Sequence, residues 1–367
     1  MNRHVVAVYA SAVALSLIGI AFIYSASSYS AAINAGDAFF YVKKQAIAFA
    51  AGLFAMFAFR AFDIEKSKKA KYPLMIVSLI LLALVFVPGL GVESYGAKRW
   101  INLGFFTVQP SEYAKFGFVA FAAAFMTEKN INDTKNLLIL LFFGVFSCIL
   151  IILEPNMSIT VCVGAVMLIM LYLGGLKTKK FAAVLAPVVL AVPALIIAEP
   201  YRLKRLIAFI DPWENPKAEG YQLIQSYYAL GNGGWFGVGF GNSRQKYLFL
   251  PFSESDFVLS VIGEETGFVG VVILAAIFCA LIYAGVKIAA SADTRYKCYL
   301  ASGIVAVIAV QAVVNFAVVG GAIPPTGLPL PFVSAGGSSL VAFMCATGAL
   351  AACAGPDAHS QKTALKQ

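Results

Sequence analysis

The sequence predicts an all-α integral membrane protein of about ten transmembrane helices, with a large structured extracytoplasmic loop between the seventh and the eighth. Three observations carry this. The 367 residues are 60% hydrophobic and only 12% charged, about half the charge of a soluble domain of that length. The missing charge is absent from a series of apolar blocks and gathered between them, as in a chain solvated mainly by lipid. Lys and Arg are also shared unequally between alternate connections, the asymmetry that sets orientation in a bilayer.

A crossing helix needs about 20 mostly apolar residues. Such segments run near 5–25, 45–62, 73–89, 112–127, 137–153, 157–175, 181–198, 257–286, 298–319 and 332–354. The first follows Arg3 and His4 as a secretory leader would, but the run of further spans reads it as an uncleaved helix. An even count puts both termini on one side. With the N-terminus inside, sixteen of the 27 Lys and Arg residues fall in inner segments, five in short outer segments and six in the long loop. That bias gives N-in and C-in. Residues 1–355 then form one membrane domain with its large outer loop at about 199–256, and the polar end 356–367 is a short cytoplasmic tail.

Several function classes are disfavoured. The net charge of +9 is scattered through short connections and forms no patch or motif for nucleic acid. Six cysteines lie in or beside apolar blocks without a CxxC pair, so they read as small buried residues. His4 and His359 sit at the cytoplasmic ends, which leaves no Ser–His–Asp arrangement and no metal cluster of usual spacing. No internal repeat marks a secondary transporter.

The chemistry gathers in the outer segments. The loop 199–256 holds Pro200, Pro212, Pro216 and Pro251 among many aromatic residues, a composition unlike a disordered linker. Its basic residues cluster at the two ends, as Arg202, Lys204 and Arg205 and as Arg244 and Lys246. Brought together they would grip a phosphate or pyrophosphate; left apart they would anchor to lipid headgroups. Glycines 231, 233, 234, 237, 239 and 241 permit tight turns and close approaches but form no P-loop. Asp256 opens the eighth span, either as a helix cap or, desolvated, as a general base. Glu264 and Glu265 follow inside that span, where carboxylates are costly and either functional or part of a buried network. Glu112 and Lys115 stand three apart at the start of the fourth span and share a face, so a local pair competes with a functional role. Glu154-Pro155-Asn156 places another acid at the outer face, and the proline-rich run 324–332 excludes regular helix before the small residues at 334–339.

Read together, the stretches 96–101, Gln109-Pro110-Ser111-Glu112 with Lys115, Glu154-Pro155, 201–205, Asp211-Pro212-Trp213, 220–226, 239–243 with Gln245-Lys246, Asp256-Phe257 with Gly263-Glu264-Glu265, and the run to Gly336-Gly337-Ser338-Ser339 resemble the SEDS family, in family order over about 5–354. The Gly-Val-Glu before Gly96 and the Asp211-Pro212-Trp213 run favour its FtsW and SpoVE branch over RodA. The resemblance implies a ten-helix fold, a peptidoglycan glycosyltransferase that polymerises lipid II in cell division or sporulation, and a class B penicillin-binding protein as partner beside other division or sporulation proteins.

The family's essential acid falls on Asp256, although Phe252-Ser253-Glu254-Ser255 departs from the usual residues just before it. Asp256 is then the base on the 4-hydroxyl of the acceptor sugar, and undecaprenyl pyrophosphate leaves from the donor. Arg99, Lys115, Arg202, Arg205 and Lys246 are the candidate cations for its developing charge, with Glu112, Glu154 and Glu264 orienting them. The residues assign no certain cofactor, and a divalent cation such as Mg2+ would suit the leaving group. The rival reading is a lipid II flippase working through Lys115 and the acids within the spans; a non-catalytic scaffold accounts for the glycines but not for the grouped acids and bases.

Overall fold

The structure, a computed structural model, describes residues 2–94, 97–104 and 106–355; Gly96 and the tail 356–367 lie outside the described residues. Each of the ten apolar segments coincides with a helix: α1 (Arg3–Ala35), α2 (Phe40–Ala61), α4 (Lys71–Leu84), α5 (Pro110–Glu128), α6 (Thr134–Leu153), α7 (Met157–Leu173), α8 (Thr178–Ile197), α11 (Val258–Ala290), α12 (Arg295–Val319) and α13 (Gly337–Ala352). Among the described residues there are also the short helices α3 (Ile64–Ser67), α9 (Pro200–Ile210) and α10 (Tyr221–Gly233), and a 3-10 turn at Lys68–Ala70. By length and composition α1, α2, α6, α11 and α12 are each sufficient to cross a membrane, and α7 and α13 are shorter apolar helices. The chain is a multi-pass membrane protein.

The packing follows from lipid as solvent. Ile47, Phe54, Phe142, Leu190 and Ile273 face outwards, while Ser16, Gln45, Ser147, Gln311, Asn315 and Thr347 are buried between helices. Small and polar residues inside, with bulky apolar residues outside, is the arrangement expected where the hydrophobic effect does not drive helices together. Ser16, Ser27, Ser147 and Thr347 each return a hydroxyl to the carbonyl four residues earlier, which satisfies the group within its own helix.

The helix connections gather at two ends of the bundle. At one end Lys71 pairs with Glu128, Thr294 bonds Glu65, and Lys180 donates to the Asn132 carbonyl. Most of the short basic connections noted in the sequence meet there. At the other end lie 85–109, 154–156, 198–257 and 320–336, joined by bonds from Arg99 to 154–155, from Arg205 to Pro325 and from Asn315 to Asp256.

Three elements depart from the sequence expectations. The 90–111 connection folds into a small antiparallel sheet of β1 (Gly91–Ser94), β2 (Ala97–Asn102) and β3 (Thr107–Val108), in that order. The last span does not begin at 332: Pro329 and Pro331 hold the chain out of helix until Gly337. α11 is broken at Gly267, whose φ of 68° only glycine adopts readily. The glycine run before α11 belongs to this break. Val238 N and Gly239 N donate to the carbonyls of Glu264 and Glu265 at 2.9 and 3.0 Å, and Phe268 N and Val269 N donate to Gly234 and Trp235. A Cβ at Gly237 would stand 2.2 Å from the Glu265 carbonyl oxygen, so the loop can lie in the break only as glycine. Backbone groups freed by a broken helix in a membrane protein must find such partners.

Candidate active site

Asp256 is the last residue but one before α11 and stands part-buried. Phe257 is the N-cap of that helix, so Asp256 stands one residue outside the capping position. Gly327 lies against it: a Cβ there would be 3.2 Å from Asp256 Oδ2, and Gly327 has φ +73°. Arg205 comes from α9 and donates to the Pro325 carbonyl at 3.5 Å. Arg99 comes from β2 across a bulge, since Val92 and Glu93 pair with Trp100 and Lys98 and leave Arg99 as the extra residue. A bulge re-aims the side chain it carries, here so that Arg99 donates to the carbonyls of Glu154 at 3.1 Å and Pro155 at 2.5 Å.

Burial is the main force on the Asp256 carboxyl and pushes it up to about 6; the Arg205 and then the Arg99 guanidinium pull down, and Glu254 pushes up. A carboxyl with that value is mostly ionised at neutral pH yet basic enough to take a proton. Glu154 is fully buried and neither of its carboxylate oxygens has a hydrogen-bond partner. Burial, only partly offset by Arg99, raises its carboxyl to about 8, so it is largely neutral at pH 7.

The remaining site residues read from the sequence go elsewhere. Lys115 Nζ bonds Glu112 Oε2 at 2.7 Å and Gln311 Oε1 at 2.8 Å, with Ser339 Oγ also on Glu112 at 2.8 Å. Lys115 and Glu112 are each 1% exposed, so the local pair is formed and Lys115 is a buried tie between α5, α12 and α13. The two basic loop clusters do not converge on Asp256. Lys246 Nζ turns towards α1 and α11, bonding Ser25 Oγ at 3.2 Å, Glu265 Oε1 at 3.4 Å and the Gly241 carbonyl. Glu264 orients no cation: it accepts from Ser243 Oγ at 2.5 Å and from the N–H groups of Arg244 and Gln245. Glu154 meets Arg99 through its carbonyl, not its carboxylate. Arg202 is half-buried on α9 beside Arg205. Among the described residues no three His, Cys, Asp or Glu side chains group as metal ligands.

Sequence reasoning passed over Gln311 and Asn315 and read Ser334 only as one of a run of small residues; all three hold the segments around Asp256. Asn315 Nδ2 donates to Asp256 O at 3.0 Å and Leu328 O at 2.8 Å, and Ser334 Oγ donates to Ser255 O at 2.6 Å. The available signal was an amide pair, four residues apart, inside an apolar helix.

The FtsW/RodA/SpoVE family, described as cell cycle protein, matches residues 6–357. The chain belongs to this family. It is 38% identical over 340 residues to stage V sporulation protein E of Bacillus subtilis (strain 168), covering 92% of this chain and 93% of that protein. It is 40% identical over 346 residues to a probable peptidoglycan glycosyltransferase FtsW of Trichlorobacter lovleyi (strain ATCC BAA-1151 / DSM 17278 / SZ), covering 92% and 90%. Among solved structures it matches a peptidoglycan synthase complex that coordinates polymerization and crosslinking, with a TM-score of 0.78, 28% identity and coverage of 94% and 95%. The crystal structure of the Thermus thermophilus rod shape determining protein RodA matches with a TM-score of 0.70, 26% identity and coverage of 94% of each chain. The SEDS resemblance read from the motifs is therefore the family itself, and the FtsW and SpoVE relatives agree with the branch assigned from the sequence.

Proposed function

We propose that this family member polymerises lipid II with Asp256 as general base. The chain is a peptidoglycan glycosyltransferase of the FtsW/SpoVE kind, in cell division or sporulation. Asp256 takes the proton of the acceptor GlcNAc 4-hydroxyl as that oxygen bonds to C1 of the donor MurNAc. The C1–oxygen bond to undecaprenyl pyrophosphate breaks, its electron pair leaving with the pyrophosphate. Attack opposite an α-linked leaving group gives a β-1,4 glycan. Arg99 and Arg205, with Arg202 beside it, offset the charge developing on the leaving group. Glu112 and Lys115 hold α5, α12 and α13 together behind this site, while Glu264 and Lys246 fix the 241–246 loop to α11 and α1.

The observation that carries the reading is Asp256 itself: a carboxylate outside the helix ladder, backed by glycine and raised to about 6 by burial, against the pull of Arg205 and Arg99. The flippase reading would draw on Lys115, but that ammonium is closed within a buried network. In the arrangement proposed here all ten apolar helices cross, both termini and the 356–367 tail are cytoplasmic, and residues 1–355 form one domain with Asp256 on the outer face. A class B penicillin-binding protein supplies the crosslinking activity beside it, with other division or sporulation proteins around the pair. The test is polymerisation of lipid II by the purified chain with its class B partner. Asp256→Asn keeps shape and removes basicity, and a general base is worth about 10²–10⁴-fold. Glycan synthesis is expected to fall to background while insertion and partner binding persist; near wild-type synthesis refutes the assignment.

A further inference from the structure

Given Asp256 as the base, what holds it in place is the next question, because it lies in a loop, one residue outside the capping position of its helix. Three consecutive carbonyls of that loop are held by groups from other segments. Ala335 N donates to Glu254 O at 2.9 Å, Ser334 Oγ to Ser255 O at 2.6 Å and Asn315 Nδ2 to Asp256 O at 3.0 Å. The same Asn315 Nδ2 donates to Leu328 O at 2.8 Å, one residue from the Gly327 that backs the carboxylate. One turn earlier on α12, Gln311 Nε2 donates to Pro329 O at 2.9 Å, and its Oε1 accepts from Lys115 Nζ at 2.8 Å.

These amides are costly where they stand. Gln311 is 0% and Asn315 1% exposed within an apolar bundle, and Asn315 Oδ1 has no partner at all. A buried amide left half-satisfied is retained against its own desolvation. Here both of its short bonds go to the two backbone segments that flank the base.

The geometry points to Asn315 as a positioning residue for Asp256: its amide clamps the Asp256 and Leu328 carbonyls together, and Gln311 ties the buried Glu112–Lys115 pair into the same clamp. The carboxylate is thereby held against Gly327 and away from bulk water, with Arg205 and Arg99 in reach. Asn315 touches neither sugar nor pyrophosphate in this arrangement; it acts through the backbone of the base.

The test is Asn315→Ala in the full chain with its class B partner, with kcat, KM and the pH profile of lipid II polymerisation measured separately. A base displaced by about 1 Å loses roughly 10²-fold in rate, so kcat is expected to fall by about that factor with KM little changed. The profile adds a readout that lost folding would not move. Burial raises the Asp256 carboxyl to about 6 against Arg205 on α9 and Arg99 on β2, with Glu254 of its own loop adding to the rise. Releasing the clamp admits water and leaves those charges in the chain, so the acid limb moves to lower pH even as the plateau falls. Ser226→Ala, which breaks a buried 2.8 Å hydroxyl pair with Ser260, is the control for general loosening, with an unmoved limb. A rate loss with an unmoved acid limb, or no rate loss, overturns the clamp. If Asn315→Ala does not fold, Ser334→Ala decides in its place, with a smaller shift in the same direction expected and none overturning it. An inactive Asp256→Asn beside a wild-type Asn315→Ala removes only the clamp, whereas an active Asp256→Asn removes the base reading itself.

Discussion

Replacing Arg205 with Gln tests the electrostatics of the site without touching the base. Arg205 is the stronger of the two cations that pull the Asp256 carboxyl down against burial. An opposite charge close to a carboxylate lowers its value by about 1–3 pH units. The lower end applies here, because Arg99 remains as a second cation acting on the carboxyl. Losing Arg205 therefore raises the Asp256 value from about 6 by about one pH unit, to near neutrality. At pH near 6 the ionised fraction then falls from about one half to about one tenth, a loss of roughly five-fold, while at about pH 8 both proteins are more than nine-tenths ionised. The assay is kcat/KM for lipid II polymerisation across that range, which reports the free enzyme. Titration of lipid II itself is common to both proteins and cancels in their ratio. Weaker hold on the pyrophosphate lowers the variant by a constant factor; the ratio of wild type to variant should grow as pH falls. A ratio that is flat with pH refutes the coupling of Arg205 to Asp256.

Three further outcomes follow from the same structure. Lys115→Met leaves Glu112 buried without its cation, a change that typically costs about 3–5 kcal/mol; thermal unfolding in detergent should show the loss, and Glu112→Gln combined with Lys115→Met should recover most of it. Glu154 has its carboxyl raised by burial to about 8. A raised folded value means stability that is complete below the unfolded value of about 4.5 and is lost as pH rises towards about 8. Glu154→Gln should accordingly unfold at higher temperature than wild type in alkaline buffer, with the gap closing as the buffer is acidified, and should match its activity at pH 7. A reporter active only outside the cell should work when fused after Ala218 and fail after Lys179 or Gln361; activity after Gln361 would overturn the N-in, C-in arrangement.

Much of this was legible in the amino-acid order. The ten apolar blocks each found a helix because length and hydropathy are local properties, and lipid allows little else for such a segment. The proline run 324–331 was rightly excluded from helix, since ring geometry and a missing N–H act wherever the residue stands. The boundaries slipped where local signals were mixed: α1 runs on through 26–35 on serines and alanines, and α13 waits for Gly337.

The sequence by itself determined the membrane class, the helix-forming segments, the family and the acid that opens α11. Tertiary structure decided which charges act on that acid. Charges are scored from sequence by type and spacing, but a pair is made by the fold that brings two segments together. Glu112 and Lys115, one turn apart, needed only a helix to meet, and they meet. Arg99 reaches the 154–156 connection through a bulge in a sheet that alternation over so short a stretch does not announce. Lys246 looked like a second phosphate grip until the broken α11 and its glycine loop carried it to Ser25 and Glu265. Asn315 and Gln311, two amides in an apolar run, acquire meaning only when α12 is packed against the segment that ends beside Asp256. Long-range hydrogen bonds of this kind depend on where the chain returns, and no window of sequence contains that information.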